Sequence, residues 1–470
     1  MKITIVGAGK SGLAAALLAN DDGERVFLTE HKPAEASGNA ATTLADHGID
    51  AEFGGHSDRA LDTEMLVVSP GIPPYTPLLQ EASKRGIPII GEIEFAWRHI
   101  NPARNPVVAI TGTNGKTTTT ALTAHILNHS GRKAHACGNI GTPLAALVKS
   151  VEPGTIFVVE TSSYQLDRTE TFRPDVAMIL NITPDHLSYH GSYVEYCRAK
   201  WKICQNQNEK NVLILCADNP DTAYPAAVEK FRDKNDGTVM HPRSQILQFS
   251  VLAEQHGAYT RDGKIVLRLP ANALTGEQHK GQHKEDILMT LDELRIPGVH
   301  NVYNSMAAAL AARAFEIRNE NIRDSLMSFM GVEHRLEHVR VLDGVEFIND
   351  SKATNINSTW YALSSYAKPI VWIAGGRGDN NDYSVLDELV RRHVRCVVAI
   401  GEEADAIFNH YSVMVRCLKC SSLDDAVQQA RDYAERGDVV LFSPACKSFD
   451  MFMNYEHRGE VYKDLVQNLH

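Results

Sequence analysis

The residues best suited to chemistry lie in the run TGTNGKTTTT at 111–120. Gly112 and Gly115 let a backbone close around phosphate oxygens, with Thr113 and Asn114 between them. Lys116 offers a cation to the β- and γ-phosphates, and Thr117, followed by Thr118, offers a hydroxyl to Mg²⁺. An apolar strand at 107–110 precedes the run, and a helix expected to reach Ser130 follows it. Amides of residues 112–115 would then face a bound anion. The interval between the two glycines is shorter than GxxxxGK requires, so this is a variant of the common phosphate loop. Strand, glycine loop, Lys-Thr-Thr and helix in that order predict binding of ATP or a relative.

Two elements extend this site. The strand at 156–159 ends in Glu160, where a phosphate-loop domain places its metal carboxylate. The strand at 177–182 ends in Thr183-Pro184-Asp185-His186, an acid and an imidazole at the edge where ligands meet open α/β sheets. Either alone is equally well a cap or a packed polar residue. GAGKSG at 7–12 fits GxGxxG between a strand and a helix, and Glu30 ends the next strand, where an acid takes a ribose hydroxyl. Alone it reads as an NAD-type loop, or as a tight turn. NDSKATN at 349–355 is a third loop between strand and helix. Capping accounts for Asp350 or Ser351, but not for Lys352 and Thr354.

Composition limits the partners. In 470 residues, 47 Lys and Arg face 58 Asp and Glu, a net charge of −11, with a pI of about 6.0. Coating nucleic acid or an anionic membrane requires a basic face, so neither is expected. No run of about 20 apolar residues is present to span a bilayer. Lys10, Ser11 and Gly12 interrupt the apolar start, so a signal peptide is not expected either. Eight scattered cysteines fit a reduced cytoplasm. Cys417 and Cys420 form a CxxC without a second pair, which reads as two thiols on a strand edge or turn.

Helical stretches alternate with short β-rich runs, the pattern of parallel sheets. Three α/β domains are expected, at 1–102, 103–331 and 332–470. The first is Rossmann-like, the second a phosphate-loop domain with a mostly parallel sheet, and the third Rossmann-like again. Strands are expected at 3–6, 26–29 and 65–69, then 107–110, 156–159 and 177–182, then 345–349, 370–374, 396–400 and 439–442. Asn101 to Pro106, with two prolines, reads as a linker. Residues 232–296 are more polar, and His279, Lys280, His283 and Lys284 read as a solvated loop rather than a metal site.

TGTNGKTT, ETSSYQL (160–166), NITPDHL (181–187), Arg198-Ala199-Lys200, GVHNVYN (298–304), EHRLE (333–337), NDSKATN and SPACKSFD (443–450) occur in one order. This ordered set resembles the Mur ligases, the ATP-dependent amino-acid-adding enzymes of peptidoglycan synthesis. Within the family it is most similar to members that add D-glutamate to UDP-N-acetylmuramoyl-L-alanine. The resemblance implies ATP, Mg²⁺ at two sites and an acyl-phosphate intermediate in a cytoplasmic monomer, with both substrates small molecules.

It also implies roles for residues. Lys116 would meet the γ-phosphate, Thr117 and Glu160 the first Mg²⁺, and His186 and Lys200 the second, with Lys200 carbamylated. Asn301, Asn304, Arg335 and Asp350 would complete the nucleotide site. The first domain would take uridine diphosphate through Ser11, Glu30, Lys32 and Gly71 (in SPGIP, 69–73), while Asn139, Ser162 and His186 meet muramoyl-alanine. Lys352, Thr354, Ser448 and Tyr455 would line the glutamate side. Domain closure about hinges near Asn101–Pro106 and 331–333 is a further implication.

The chain departs from the family where a cation holds glutamate's side-chain carboxylate. Gly375-Gly376-Arg377-Gly378-Asp379 places an acid there, so Arg377 is the expected substitute. Rival readings are an NAD-dependent oxidoreductase, a regulatory ATPase, and a Mur or folylpolyglutamate-type ligase adding another amino acid. The first leaves TGTNGKTT and NDSKATN unexplained, the second would hydrolyse nucleotide without needing a muramoyl substrate, and the uridine-type first domain disfavours a folate substrate.

Overall fold

A computed structural model describes residues 1–101, 103–230, 241–270, 283–378 and 381–469. Asp379 and the side chains of the 279–284 grouping lie outside the described residues. The chain carries three sheets. The first is fully parallel, in the order β3 (Asp50–Phe53), β2 (Arg25–Glu30), β1 (Lys2–Val6), β4 (Met65–Val68), β5 (Ile89–Gly91). Its order reverses beside β1, so GAGKSG leaves the sheet at the crevice where such folds bind ligands.

The central sheet has β6 (Val107–Thr111), β7 (Ala134–Gly138), β8 (Ile156–Glu160), β9 (Val176–Ile179), β10 (Val212–Cys216), β11 (Gln245–Ser250), β12 (Gly257–Arg261), β13 (Lys264–Pro270) and β14 (His283–Thr290). They lie in the order 14-13-12-11-10-9-6-8-7. The parallel strands β6, β8, β9 and β10 are buried throughout, which explains their apolar sequences. The third sheet runs β15 (Glu337–Leu342), β16 (Val345–Asn349), β20 (Val439–Phe442), β17 (Ile370–Gly375), β18 (Val394–Ile400), β19 (Arg416–Lys419). Only the β15–β16 pair is antiparallel. Cys417 lies on edge strand β19 and Cys420 just beyond it, and both are buried thiols.

Within the polar stretch 232–296, for which no strand is expected, the described residues form β11 to β14, which extend the central sheet, β13 and β14 antiparallel. Asp262 and Gly263, both at positive φ, make the β12–β13 turn, and that Asp-Gly pair is a hairpin signal in the sequence. Strand β9 stops at Ile179 rather than 182, because Asn181 is drawn into the phosphate loop, as described below.

The chain divides into two compact units, Met1–Arg295 with Val302–Phe329, and Ile296–Asn301 with Met330–His470. The first holds two sheets, joined through the fully buried helix Glu92–Trp97. Its two glutamates differ in their electrostatics. For Glu94, burial is outweighed by donation from the Thr171 hydroxyl, from the amides of Glu170, Thr171 and Phe172, and from Arg98, so its pKa is lowered. Glu92 accepts from the Ala145 amide at 2.7 Å, but its Oε2 has no partner among the described residues. Burial pushes its pKa up to about 7.

A carboxyl raised in the folded state stabilises the protein below the unfolded pKa and loses that contribution as pH rises through the folded one. Between pH 4.5 and 7 the loss amounts to about 3 kcal/mol. Glu92→Gln should therefore match the native protein near pH 5 and exceed its denaturation midpoint at pH 8. A difference between the two that stays constant with pH would refute the assignment.

Candidate active site

The buried strand β6 delivers the chain to Gly112 at φ 155° and Gly115 at φ 86°, conformations that suit glycine. A Cβ on Gly115 would meet Asn304 Oδ1 at 2.5 Å, which explains the second glycine as a close approach. The helix Lys116–His129 follows, close to the expected end at Ser130. The amides of Thr113 and Asn114 are already used, donating to the carbonyl and Oδ1 of Asn181, both at 2.9 Å. An anion at this loop would therefore meet the first-turn amides of the following helix, from Lys116 to Thr118, rather than those of Thr113 and Asn114. Asn181 was not singled out as a site residue, although it opens NITPDHL and fixes the loop from below.

Two lysines converge here. Lys116 Nζ donates to the carbonyls of Gly112 and Thr113, at 2.9 and 2.8 Å. Lys200, on the helix Tyr193–Trp201 and 2% exposed, donates to the same Gly112 carbonyl at 2.9 Å. It also lies 4.7 Å from the centre of the Tyr196 ring. Burial first, then the charge of Lys116, lowers its pKa well below the usual lysine range.

Glu160, at the end of β8, is buried; its Oε1 accepts from Asn139 Nδ2 at 2.9 Å. Its Oε2 is buried with no hydrogen-bond partner among the described residues. A buried carboxylate oxygen left so is costly, and a Mg²⁺ ion would satisfy it. Thr117 is buried in the same loop. His186 sits at φ 54°, its Nε2 3.5 Å from Asp185 Oδ2 and its ring 4.9 Å from that of Tyr164. Among the described residues no three His, Cys, Asp or Glu side chains gather into a metal site. Mg²⁺ binds with one or two carboxylates, completing its shell with water and phosphate oxygens, so the oxygens of Thr117 and Glu160 fit it, whereas the imidazole of His186 does not follow from that preference. Ser162 caps the helix Ser163–Asp167 in a capping box with Gln165, so its hydroxyl already has a structural task.

In the first sheet, Glu30 accepts from the amides of Ala8 and Lys32 at 2.7 and 2.8 Å, which places Glu30, Lys32 and the GAGKSG loop together. The three glycines separate cleanly. A Cβ on Gly7 would meet Ser69 Oγ at 2.8 Å and one on Gly12 the Gly7 carbonyl at 1.9 Å, but one on Gly9 meets nothing within 4 Å. Packing thus explains Gly7 and Gly12, while a side chain at Gly9 would enter open space. Gly71, at φ 85°, is likewise open, and Ser11 lies in the first helix, Lys10–Asp21.

The C-terminal unit has its own small cavity, about 40 Å³, lined by His300, Arg335, Asp350, Lys352, Ser358 and Tyr361 among others. Asp350 accepts from Ser443 Oγ at 2.8 Å and the Leu336 amide at 3.2 Å. Burial pushes its pKa up to about 7. Burial, then Arg335, pushes His300 down to about 4, so its ring is neutral at pH 7. It lies 5.7 Å from the Tyr361 ring. His334 and Leu336, flanking Arg335, both adopt positive φ, strain of the kind that collects at ligand sites. His300 and Tyr361 were missed in the sequence, where an isolated aromatic carries no signal. Asn301 Nδ2 donates to the Pro297 carbonyl at 2.7 Å. Asn304 falls in the first unit and accepts from Thr119 Oγ1.

On the expected glutamate side, Lys352 Nζ donates to the Tyr455 hydroxyl at 3.2 Å and lies 5.0 Å from the ring centre. Thr354 is half-buried in the same loop, and Ser448 is 2% exposed. Arg377 is half-exposed and held through two bonds by Glu402, at 2.8 and 3.0 Å.

This architecture and these loops are those of a recognised family. The Mur ligase MurD-like N-terminal domain matches residues 1–91, the Mur ligase middle domain 110–312, and the Mur ligase glutamate ligase domain 334–446. The chain belongs to the Mur ligase family and is an ATP-dependent, amide-forming ligase. It is 44% identical to the UDP-N-acetylmuramoylalanine–D-glutamate ligase of Salinibacter ruber, over 100% of this chain and 98% of the relative. With the enzyme of that name from Chloroherpeton thalassium the identity is 40%, over the same shares. Among solved structures, UDP-N-acetylmuramate–alanine ligase from Thermotoga maritima aligns over 99% of both chains, with TM-score 0.58 and 19% identity. That likeness concerns the fold.

Proposed function

We propose that this chain joins the amine of D-glutamate to the alanine carboxylate of UDP-N-acetylmuramoyl-L-alanine, using ATP. The observation that carries the reading is the convergence of Lys116 and Lys200 on one carbonyl, beside a carboxylate oxygen without a partner. Lys116 brings a cation to this loop and Glu160 an oxygen still to be satisfied, and a triphosphate with its metal meets both needs. The full-length relatives support the choice of amino acid. A reaction that consumes ATP and a UDP-linked precursor belongs in the cytoplasm. Among the described residues no helix is long and apolar enough to cross a membrane.

On binding, Lys116 exchanges the Gly112 and Thr113 carbonyls for γ-phosphate oxygens, and the first-turn amides take the remaining charge. Thr117 and Glu160 would hold one Mg²⁺ and His186 with a carbamylated Lys200 a second, and the ions, when bound, would neutralise phosphoryl charge. Ser11, Glu30, Lys32 and Gly71 hold the uridine diphosphate, and Asn139, Ser162 and His186 orient the alanine end. A carboxylate oxygen attacks the γ-phosphorus and ADP leaves. The amine then attacks the acyl phosphate and releases phosphate. Asn301, Asn304, Arg335 and Asp350 hold the nucleotide. Lys352, Thr354, Ser448 and Tyr455 hold the amino acid, and Arg377 must exchange Glu402 to take its second carboxylate.

This order of bonds has an isotopic consequence. UDP-N-acetylmuramoyl-L-alanine labelled with ¹⁸O in its carboxylate should deliver one labelled oxygen to each phosphate released, read by ³¹P NMR. Phosphate free of label would exclude the acyl phosphate.

A further inference from the structure

Arg458 has no part in the account so far, yet its guanidinium is wholly buried. It lies one turn beyond Tyr455 on the helix Tyr455–Gln467. Nε donates to Ser351 Oγ at 3.0 Å, Nη2 to the Ser351 carbonyl at 2.7 Å, and Nη1 to the Cys446 carbonyl at 3.0 Å. Gly376, at φ 133°, packs against it so closely that a Cβ would stand 3.2 Å from Nη1. A single side chain thus touches the loops that follow β16, β17 and β20, three neighbouring strands. The first loop carries Lys352 and Thr354, the second Arg377, and the third Ser448. Ser351 passes the connection on, donating to the Tyr455 carbonyl at 2.9 Å.

Burying a guanidinium is expensive without a paired carboxylate. Among the described residues Arg458 forms no ion pair, and its bonds go to two carbonyls and a hydroxyl. Burial lowers its pKa to about 10, so it remains charged at neutral pH. The charges of Asp450 and Asp350 act on it from beyond ion-pair distance. An amino acid with two carboxylates, bound by these same loops, would add to them.

We propose that Arg458 is a positioning residue for the amino-acid substrate: by joining the loops at Ser351, Gly376 and Cys446 it sets the spacing of Lys352, Ser448 and Tyr455, and its charge favours a dicarboxylate there. This inference rests on the placement of D-glutamate in the C-terminal unit. Arg458→Lys keeps the charge and loses the fork, while Ser351→Ala removes one tie and leaves the guanidinium in place. Arg458→Lys should raise the KM for D-glutamate at least tenfold, with those for ATP and the UDP substrate within twofold of normal. Ser351→Ala should raise the same constant about threefold, and it decides the matter if the lysine variant does not fold. Three Michaelis constants that move together, or a lower Tm with unaltered constants, would overturn the role. Native enzyme assayed alongside separates the two claims: no turnover with D-glutamate removes the substrate assignment and this role with it, whereas normal turnover with unmoved constants in the variants removes only Arg458.

Discussion

Lys116→Ala and Glu160→Ala should each reduce turnover by about a thousandfold or more while leaving the protein folded, equivalent to roughly 4 kcal/mol of lost transition-state stabilisation. Lys116 would oppose charge on the phosphoryl group as it transfers, and its Nζ donates in this structure to two loop carbonyls that a phosphate would replace. Glu160 has one oxygen bonded by Asn139 and another without a partner. Removing it deletes the group best placed to hold Mg²⁺. The alanine variants should keep the native circular dichroism and lose phosphate release. Near-normal turnover in a folded Lys116→Ala protein would contradict the site.

Lys200→Ala should be nearly as damaging, and short carboxylates such as acetate or formate should restore part of its activity. The amine is buried, and burial beside Lys116 favours its neutral form. An ordinary lysine is neutral in only about one part in two or three thousand at pH 7, too little to react readily with CO₂. A lowered pKa raises that fraction. The amine nitrogen would then form a bond to the carbon of CO₂ and release one N–H proton to solvent, leaving a carbamate anion. ¹³CO₂ should give a carbamate resonance in the native enzyme and none in Lys200→Ala. A bare ammonium with both substrates bound, together with a variant deaf to carboxylates, would contradict this.

Legibility in the sequence followed locality. The phosphate loop, Glu160 and NDSKATN could be read because each is a short run whose chemistry is complete within a few residues. The buried parallel strands were equally plain, since apolar runs such as 107–110 have few alternatives. What escaped depended on distant pairing. Asn181 takes its meaning from the amides of Thr113 and Asn114, almost seventy positions earlier, and Arg458 from Ser351 and Cys446. Ser162 and Arg377, expected to meet the substrates, also have partners that the sequence does not show, Gln165 in a capping box and Glu402. The hairpin at Asp262-Gly263 went unread although Asp-Gly is a hairpin signal, because the strand after it lacks the alternation that marks a half-exposed strand: β13 buries Ile265, Val266 and Leu267 in succession.

The central claim is tested most directly by measuring phosphate release with ATP and Mg²⁺ over a panel of UDP-linked muramoyl precursors and amino acids. Release should require UDP-N-acetylmuramoyl-L-alanine and D-glutamate together, and the product should carry one new amide. Phosphate released without either substrate, or equally fast with L-glutamate, L-alanine or a diamino acid, would contradict the account.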